Sequence, residues 1–292
     1  MSENIAAAPA RDSRLREAWQ TIAASKSAAA GLVVIVFLVL VAVFGRFLMP
    51  YDPFFGGDLS QNLQWPSAAH WFGTDELGRD ILSRVIAGAA VSLRVGVLAV
   101  ASGLIIGTIL GAISAYYGKT ADMLIMRFTD MMLAIPDILL AIAFMTALGP
   151  GIEKAIIAIG FVTIPQYARI VRGSILSAKE SDYVAAAKLV GNGNGRVIFR
   201  HILPNVISPI IVRSTLGVSS AILDTAALGF LGLGVQPPYA EWGTMLGSGR
   251  TYIFNAPYIL VFPGLAITVT VLAFNLFGDG LRDALDPRGR VK

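Results

Sequence analysis

Three aspartates stand where a charge is expensive. Asp130, Asp137 and Asp224 lie in or beside stretches that are otherwise apolar. Lipid cannot hydrate an ionised group, so an acid at membrane depth is a functional candidate by default. Carboxylates placed this way can line a polar path for a peptide or a cation. Asp130 has a second reading, an ion pair with Arg127 one helical turn away. Other chemistries fail on residue type or spacing. There is no cysteine, hence no disulfide and no thiolate metal site. His70 and His201 are the only histidines and are far apart in sequence, so a histidine metal site is not expected. Gly118-Lys119-Thr120 resembles the end of a phosphate-binding loop, but that pattern needs a glycine where Ile113 stands, and a strand before it. Neither the glycines at 229, 232 and 234 nor the GNGNG run at 191–195 fits G-x-G-x-x-G. No Ser/His/Asp set stands out. No catalytic, cofactor-binding or metal site is therefore expected, and the chain is not expected to be an enzyme. If ATP is used, another chain binds it.

The elements that must position these acids are membrane spans. Of the 292 residues, 55% are hydrophobic and 14% charged, too few charges to cover a soluble surface of this size. The mean hydropathy is +0.68. A span needs about 20 mostly apolar residues. Six stretches qualify: 28–49, 95–117, 123–148, 155–168, 214–233 and 251–278. The fourth is short and is expected to end near Pro165. Pro136 is expected to kink the third. The first is too long for a cleaved signal peptide and reads as an uncleaved anchor.

Lysine and arginine set the orientation. With the N-terminus inside, 17 of them fall on inner segments and 6 on outer ones. Both termini and the basic segment 179–204 are then cytoplasmic. The expected organisation is a cytoplasmic segment 1–27, a first span 28–49, an extracytoplasmic segment 50–90, a core 91–278 and a cytoplasmic tail 279–292. In the outer segment Ile81, Leu82, Val85 and Ile86 form an apolar stripe beside Asp80 and Arg84. This reads as an amphipathic helix at the interface, either an anchor or a docking surface. Trp65, Trp71 and Trp242 fit an aromatic belt. In the second span Ala99, Gly103, Gly107, Gly111 and Ala115 recur every fourth position. Such a stripe lets helices approach closely, as ordinary packing or as a seam in a moving bundle.

The segment KESDYVAAAKLVGNGNGRVIFRHILP, residues 179–204, is polar and basic inside a very apolar chain. Ser177 and Glu180 have capping-box spacing, which predicts a helix starting just after Ser177. Tyr183, Ala186, Ala187 and Val190 then share one face. Gly191 ends the helix, the following Asn and Gly residues bend the chain, and residues 196–203 form a second helix before Pro204. Small alanines leave a shallow surface that can enter a groove of a soluble partner. The plainer reading is a solvated amphipathic loop.

This segment resembles the cytoplasmic signature loop of ABC-importer permeases, E-A-A, three residues, Gly, nine residues, I-x-L-P. Ala185, Ala186 and Ala187 hold the first positions, Gly191 the glycine and Leu203-Pro204 the end. Ala185 replaces the glutamate and His201 the isoleucine, as is usual in the dipeptide, oligopeptide and nickel branch. The runs HWFGTDELGRDILSRVIAGA (70–89), LAIPDILLAIA (133–143), FLGLGVQPPYAEWGTML (230–246) and PGLAITVTVLAFNLFGDGLRDALDPR (263–288) resemble that branch too. The chain is similar to its C-type permeases over nearly its whole length.

The resemblance implies an all-α membrane protein with six transmembrane helices and a coupling-helix loop, the type I ABC-importer permease architecture. It sits in a bacterial or archaeal cytoplasmic membrane. Its partners are a second permease, two ATPase subunits that use ATP and Mg, an external substrate-binding protein and lipid, with no nucleic acid. The loop helix docks on an ATPase, with Glu180, Asp182 and Tyr183 near its start and Ala186, Ala187 and Gly191 along it. Glu180 and Asp182 also suit a helix N-terminus on charge alone. The rival class is an ion-coupled secondary transporter, which calls for two related repeats and a midplane ion site. No repeat is visible.

Overall fold

Apolar length dictates the architecture. In the computed structural model, residues 20–285 are described. The basic residues Arg11, Arg14, Arg16, Arg288, Arg290 and Lys292, used above for orientation, lie outside them. The spans are α1 (Lys26–Leu48), α2 (Ile81–Tyr117), a pair α3 (Lys119–Leu133) and α4 (Asp137–Leu148), α5 (Ile152–Ala178), α7 (Ile207–Phe230) and α9 (Tyr258–Leu285). Between them lie the short helices α6 (Asp182–Leu189) and α8 (Trp242–Gly249). Five of the helices are long and apolar enough to cross a membrane, and α3 with α4 makes a sixth span when the bent pair counts as one. No strand occurs among the described residues.

Several boundaries differ from expectation, each for a physical reason. The amphipathic outer stretch is no separate helix. It forms the first turns of α2, whose 37 residues reach about 55 Å and overshoot a hydrocarbon core of about 30 Å. The third span breaks outright at Pro136, and α3 and α4 diverge by 91°. Proline donates no hydrogen bond and disfavours helical geometry in the residue before it. Pro165, by contrast, does not end α5, which continues through it for 27 residues. Pro165 and the residues around it are buried, and that packing outweighs the one hydrogen bond that proline removes.

α2 and α5 are the structural axis. Gly103, Gly107 and Gly111 of α2 lie against the backbone of α5. A Cβ at Gly107 would stand 2.7 Å from the Ile164 carbonyl, and one at Gly111 2.4 Å from the Ala168 carbonyl. The small-residue stripe is thus a backbone-to-backbone contact. At one end of this axis the segment before α2 folds back on it. Asp80 caps α2, accepting from the Ser83 amide at 2.8 Å, and its other oxygen lies 3.0 Å from His70 Nδ1. Arg79 and Arg84 both reach Asp75, at 2.8 and 3.4 Å, and Arg84 also donates to the Pro53 carbonyl at 2.7 Å.

α8 packs against this same end. Trp242, placed above in an aromatic belt, is instead buried, and its indole donates to the Val85 carbonyl at 2.9 Å. Trp65 and Trp71 are exposed. Glu241 is a buried acid that the sequence reading missed. It caps α8 by accepting from the amides of Gly243 and Thr244 at 2.9 and 2.8 Å, and lies 3.3 Å from the Ser92 hydroxyl of α2. Burial pushes its carboxyl above the usual range while the two amides pull it back. Glu241→Ala would leave the buried Gly243 amide and the part-buried Thr244 amide without their acceptor, at about 1–3 kcal/mol for a fully buried group. The variant is expected to melt several degrees lower in detergent, as read by size-exclusion chromatography after heating. Glu241→Gln, which keeps an acceptor, is expected to lose less.

Candidate coupling loop and translocation path

Val171 and Ile175 are fully buried and carry α5 to Ala178. Ser177 therefore lies inside α5, and the expected capping box with Glu180 does not start the loop helix. Ser181 is the N-cap of α6 instead. The chain then returns through a helical turn (Asn194–Arg196), a π-helical stretch (Val197–Ile202) and a 3-10 turn (Leu203–Asn205). Val184, Val197, Ile198 and Ile202 share a core with Ala112 and Ala115 of α2, Val171 and Ile175 of α5, and Ile210 of α7. The loop is thus seated on the ends of three spans. Polar ties reinforce the seat. The Tyr116 hydroxyl donates to Asn194 Oδ1 at 2.9 Å, and Lys188 Nζ stands 5.4 Å from the Tyr116 ring centre.

This seating divides the predicted loop residues between two faces. Val184 belongs to the loop's own core, and Ala187, 8% exposed, is buried on the same helix. Ala187 thus does not share an outward face with Tyr183, Ala186 and Val190. Glu180, Asp182, Tyr183 and Ala186 are exposed. Leu189 and Val190, at 88% and 83% exposed, add a bare apolar edge. Leu189 escaped the sequence reading because an apolar residue in a short helix is expected to face inward, and here it does not. Gly191 has φ +83° and open space around its Cα, so the turn demands glycine on backbone grounds. Asn192 closes the turn by donating from Nδ2 to the Ala187 carbonyl at 2.9 Å.

The three candidate path aspartates separate. Asp130 does not pair with Arg127. It accepts from Arg169 of α5 at 2.7 Å, with both side chains more than half exposed. Asp137 opens α4 and accepts from Gln166 Nε2 of α5 at 2.7 Å. Asp224, half-buried on α7, is within electrostatic reach of Asp137. The structure joins Asp137 to Gln166, sets Asp224 within electrostatic reach of Asp137, and ties Asp130 to Arg169 instead. A further acid, Asp122 of α3, takes both ends of the Arg172 guanidinium, at 2.6 and 2.7 Å. Gln166, Arg169 and Arg172 are spaced by three residues and meet Asp137, Asp130 and Asp122 respectively. This polar ladder braces the broken span against α5. The repeating polar residues within the apolar α5 were the available signal.

Asp80 and Arg84, the candidate contacts for an external protein, are 2% and 5% exposed. Their partners lie within the chain, and this removes them from the candidate docking surface.

Fold and site together define a polytopic helical membrane protein whose main polar feature is a loop seated across the ends of its spans. The chain belongs to the family described as binding-protein-dependent transport system inner membrane component, whose profile matches residues 103–291. Residues 13–66 match the N-terminal TM domain of oligopeptide transport permease C. The resemblance to C-type permeases drawn from the motifs therefore holds. The dipeptide transport system permease protein DppC of Alkalihalophilus pseudofirmus is 51% identical over 94% of this chain and 90% of that protein. The di/tripeptide transport system permease protein DppC of Pseudomonas aeruginosa is 48% identical over 96% of each. The glutathione transport system permease protein GsiD of Pectobacterium atrosepticum is 44% identical over 94% of this chain and 91% of that protein. Among solved structures, an inward-facing MetNI methionine ABC transporter superposes with a TM-score of 0.57 at 16% identity, over 70% of this chain and 98% of that one. At that identity it shows the fold alone, and the fold is the expected one.

Proposed function

We propose that this chain is the C-type permease of an ATP-driven peptide importer, forming half of the path for di- or oligopeptides or a close analogue such as glutathione. It works with a second permease, two ATPases that bind ATP and Mg, and an external binding protein. The loop end faces the cytoplasm and both termini lie there. The observation that carries this reading is the loop, packed onto the ends of three spans, with Tyr183, Ala186, Leu189 and Val190 exposed on it. Relatives named for peptides and glutathione match over more than nine-tenths of the chain. They favour peptides over a nickel chelate.

Reconstitution tests it. Vesicles holding this chain alone are expected to bind no ATP and take up no peptide. Adding the second permease, both ATPases and the loaded binding protein is expected to give ATP-dependent uptake of a dipeptide. Proton- or sodium-driven uptake by the chain alone would instead support the secondary-transporter reading. Because the chain has no cysteine, orientation is read cleanly in intact cells. Asn194→Cys is expected to resist an impermeant thiol reagent and Ser67→Cys to react.

A further inference from the structure

Beside the loop, between α5, α7 and α9, lies a cavity of about 530 Å³, within the range of small-molecule sites, roughly 300–1,000 Å³. Its lining includes two guanidiniums, Arg213 and Arg282, and two hydroxyls, Ser174 and Ser177, with apolar walls such as Val212 and Leu216. No hydrogen bond or ion pair ties either arginine to another described residue. Asp279 and Asp283 sit on the same helix as Arg282 without pairing to it. Two guanidiniums that no described residue pairs, with the Ser177 hydroxyl beside them, form an oxyanion site, the Ser174 hydroxyl being engaged by the Ile170 carbonyl at 2.9 Å; arginine binds carboxylate with two parallel bonds.

The position of this cavity says which oxyanion. On α7, Arg213, Leu216, Ser220 and Asp224 follow one another at three- or four-residue steps, and on α5 Gln166, Ile170, Ser174 and Ser177 do the same. Residues so spaced share a helix face. The cavity therefore continues the α5 face that holds Gln166 and the α7 face that holds Asp224, with Asp137 of α4 bound to Gln166 at 2.7 Å. That inner cluster is acceptor-rich: besides its carboxylates, Gln166 Oε1 is buried and has no hydrogen-bond partner. It suits an ammonium, which has three donors and no acceptor. From Asp224 to Arg213 is eleven residues of helix, about 16 Å. A dipeptide spans at most about 7 Å and a tripeptide about 11 Å, both shorter than that backbone separation, so the two clusters are read as successive positions.

We infer that the Arg213/Arg282 cavity is a carboxylate station at the loop end of the path, receiving the C-terminal carboxylate of a peptide whose ammonium end is held, at an earlier position, by Asp137, Asp224 and Gln166. The inference rests on the importer reading above. The same oxyanion chemistry is offered by a lipid phosphate, and the test separates the two.

The assembled transporter is placed in phosphatidylcholine nanodiscs with Ser177→Cys as the sole thiol in this chain, any partner cysteines being removed. Labelling of that thiol by an anionic and by a cationic methanethiosulfonate is timed. Clefts of one charge sign concentrate counter-ions at least about tenfold, so the anionic-to-cationic rate ratio is expected to fall about tenfold when Arg213→Gln and Arg282→Gln are added. Arg213→Lys should restore most of it. Glycylglycine is expected to slow labelling, glycylglycinamide much less, and the arginine variants should abolish the difference. Equal protection by the amide, or none by either peptide, overturns the inference. So does protection without peptide that appears only when phosphatidylglycerol is included and vanishes in the arginine variants, because the occupant is then a headgroup. ATPase co-purification confirms that each variant assembles. Peptide uptake by the unsubstituted complex is measured in parallel. Normal uptake with no carboxylate-dependent protection sinks the station and spares the importer reading. Protection without uptake sinks the importer reading and spares the station.

Discussion

The double variant Ala186→Glu, Leu189→Asp is expected to insert and to pair with its partner permease, and to lose the ATPase. Both positions are exposed on α6, outside the core that seats the loop. New carboxylates there cost this chain little, because water hydrates them. In a docked cleft they would be buried without partners. Losing a central apolar contact at an interface costs 2 kcal/mol or more, roughly thirtyfold in affinity. Two charges in one face should exceed that, so ATP-driven uptake is expected to fall below detection. The readout is ATPase co-purification together with uptake at matched membrane expression. Wild-type values for both would show that this face transmits no force, and the proposed role of the loop would fall.

The seating of the loop refines which substitutions test docking alone. Ala187→Glu places a charge at a buried position of α6 and damages the loop before any partner arrives. Gly191→Trp meets open space but forces a bulky residue to φ +83°, so it distorts the turn itself. Either should abolish coupling, yet neither separates a lost contact from a lost loop. The exposed pair at 186 and 189 makes that separation.

Legibility in the sequence followed the range of the interactions. Span number, the loop and the glycine at 191 rest on local apolar runs and backbone needs, and these are written in consecutive residues. The break at Pro136 was visible as a kink, but its 91° was not, because the angle depends on what α3 and α4 each pack against. The continuation of α5 through Pro165 was hidden for the same reason: burial on α2 outweighs a local breaker. Pairings were the least legible. Asp130 has Arg127 as a sequence neighbour but Arg169 as its partner, and Asp80 and Arg84 looked amphipathic while folding inward against Ser83, His70, Asp75 and Pro53. Apart from the local Ser83 cap, these deciding neighbours precede the helix or lie on another one, where periodicity does not reach.

Gly107→Val with Gly111→Val is expected to leave little folded protein. The α5 backbone stands where the new Cβ atoms would go, 2.7 Å from the Ile164 carbonyl at 107 and 2.4 Å from the Ala168 carbonyl at 111. Backbone cannot swing aside as a side chain tip can, so the helices must separate along their length. Overpacking costs about 1–3 kcal/mol per site, and in lipid, where helix association depends on close packing, nothing else replaces the lost contact. The damage should also travel. Ala112, Ala115, Val171 and Ile175 continue the same pair of helices into the floor of the loop, so a spread seam would unseat the loop even in molecules that survive. Gly173→Val is the matched control. It lies in the interior of α5, takes the same side chain at the same intrinsic helix cost, and a Cβ there meets nothing within 4 Å. The monodisperse yield in detergent and the midpoint of thermal aggregation are measured for both. If the double variant and the control behave alike, the glycine stripe is not a backbone contact, and the axis proposed for this fold is wrong.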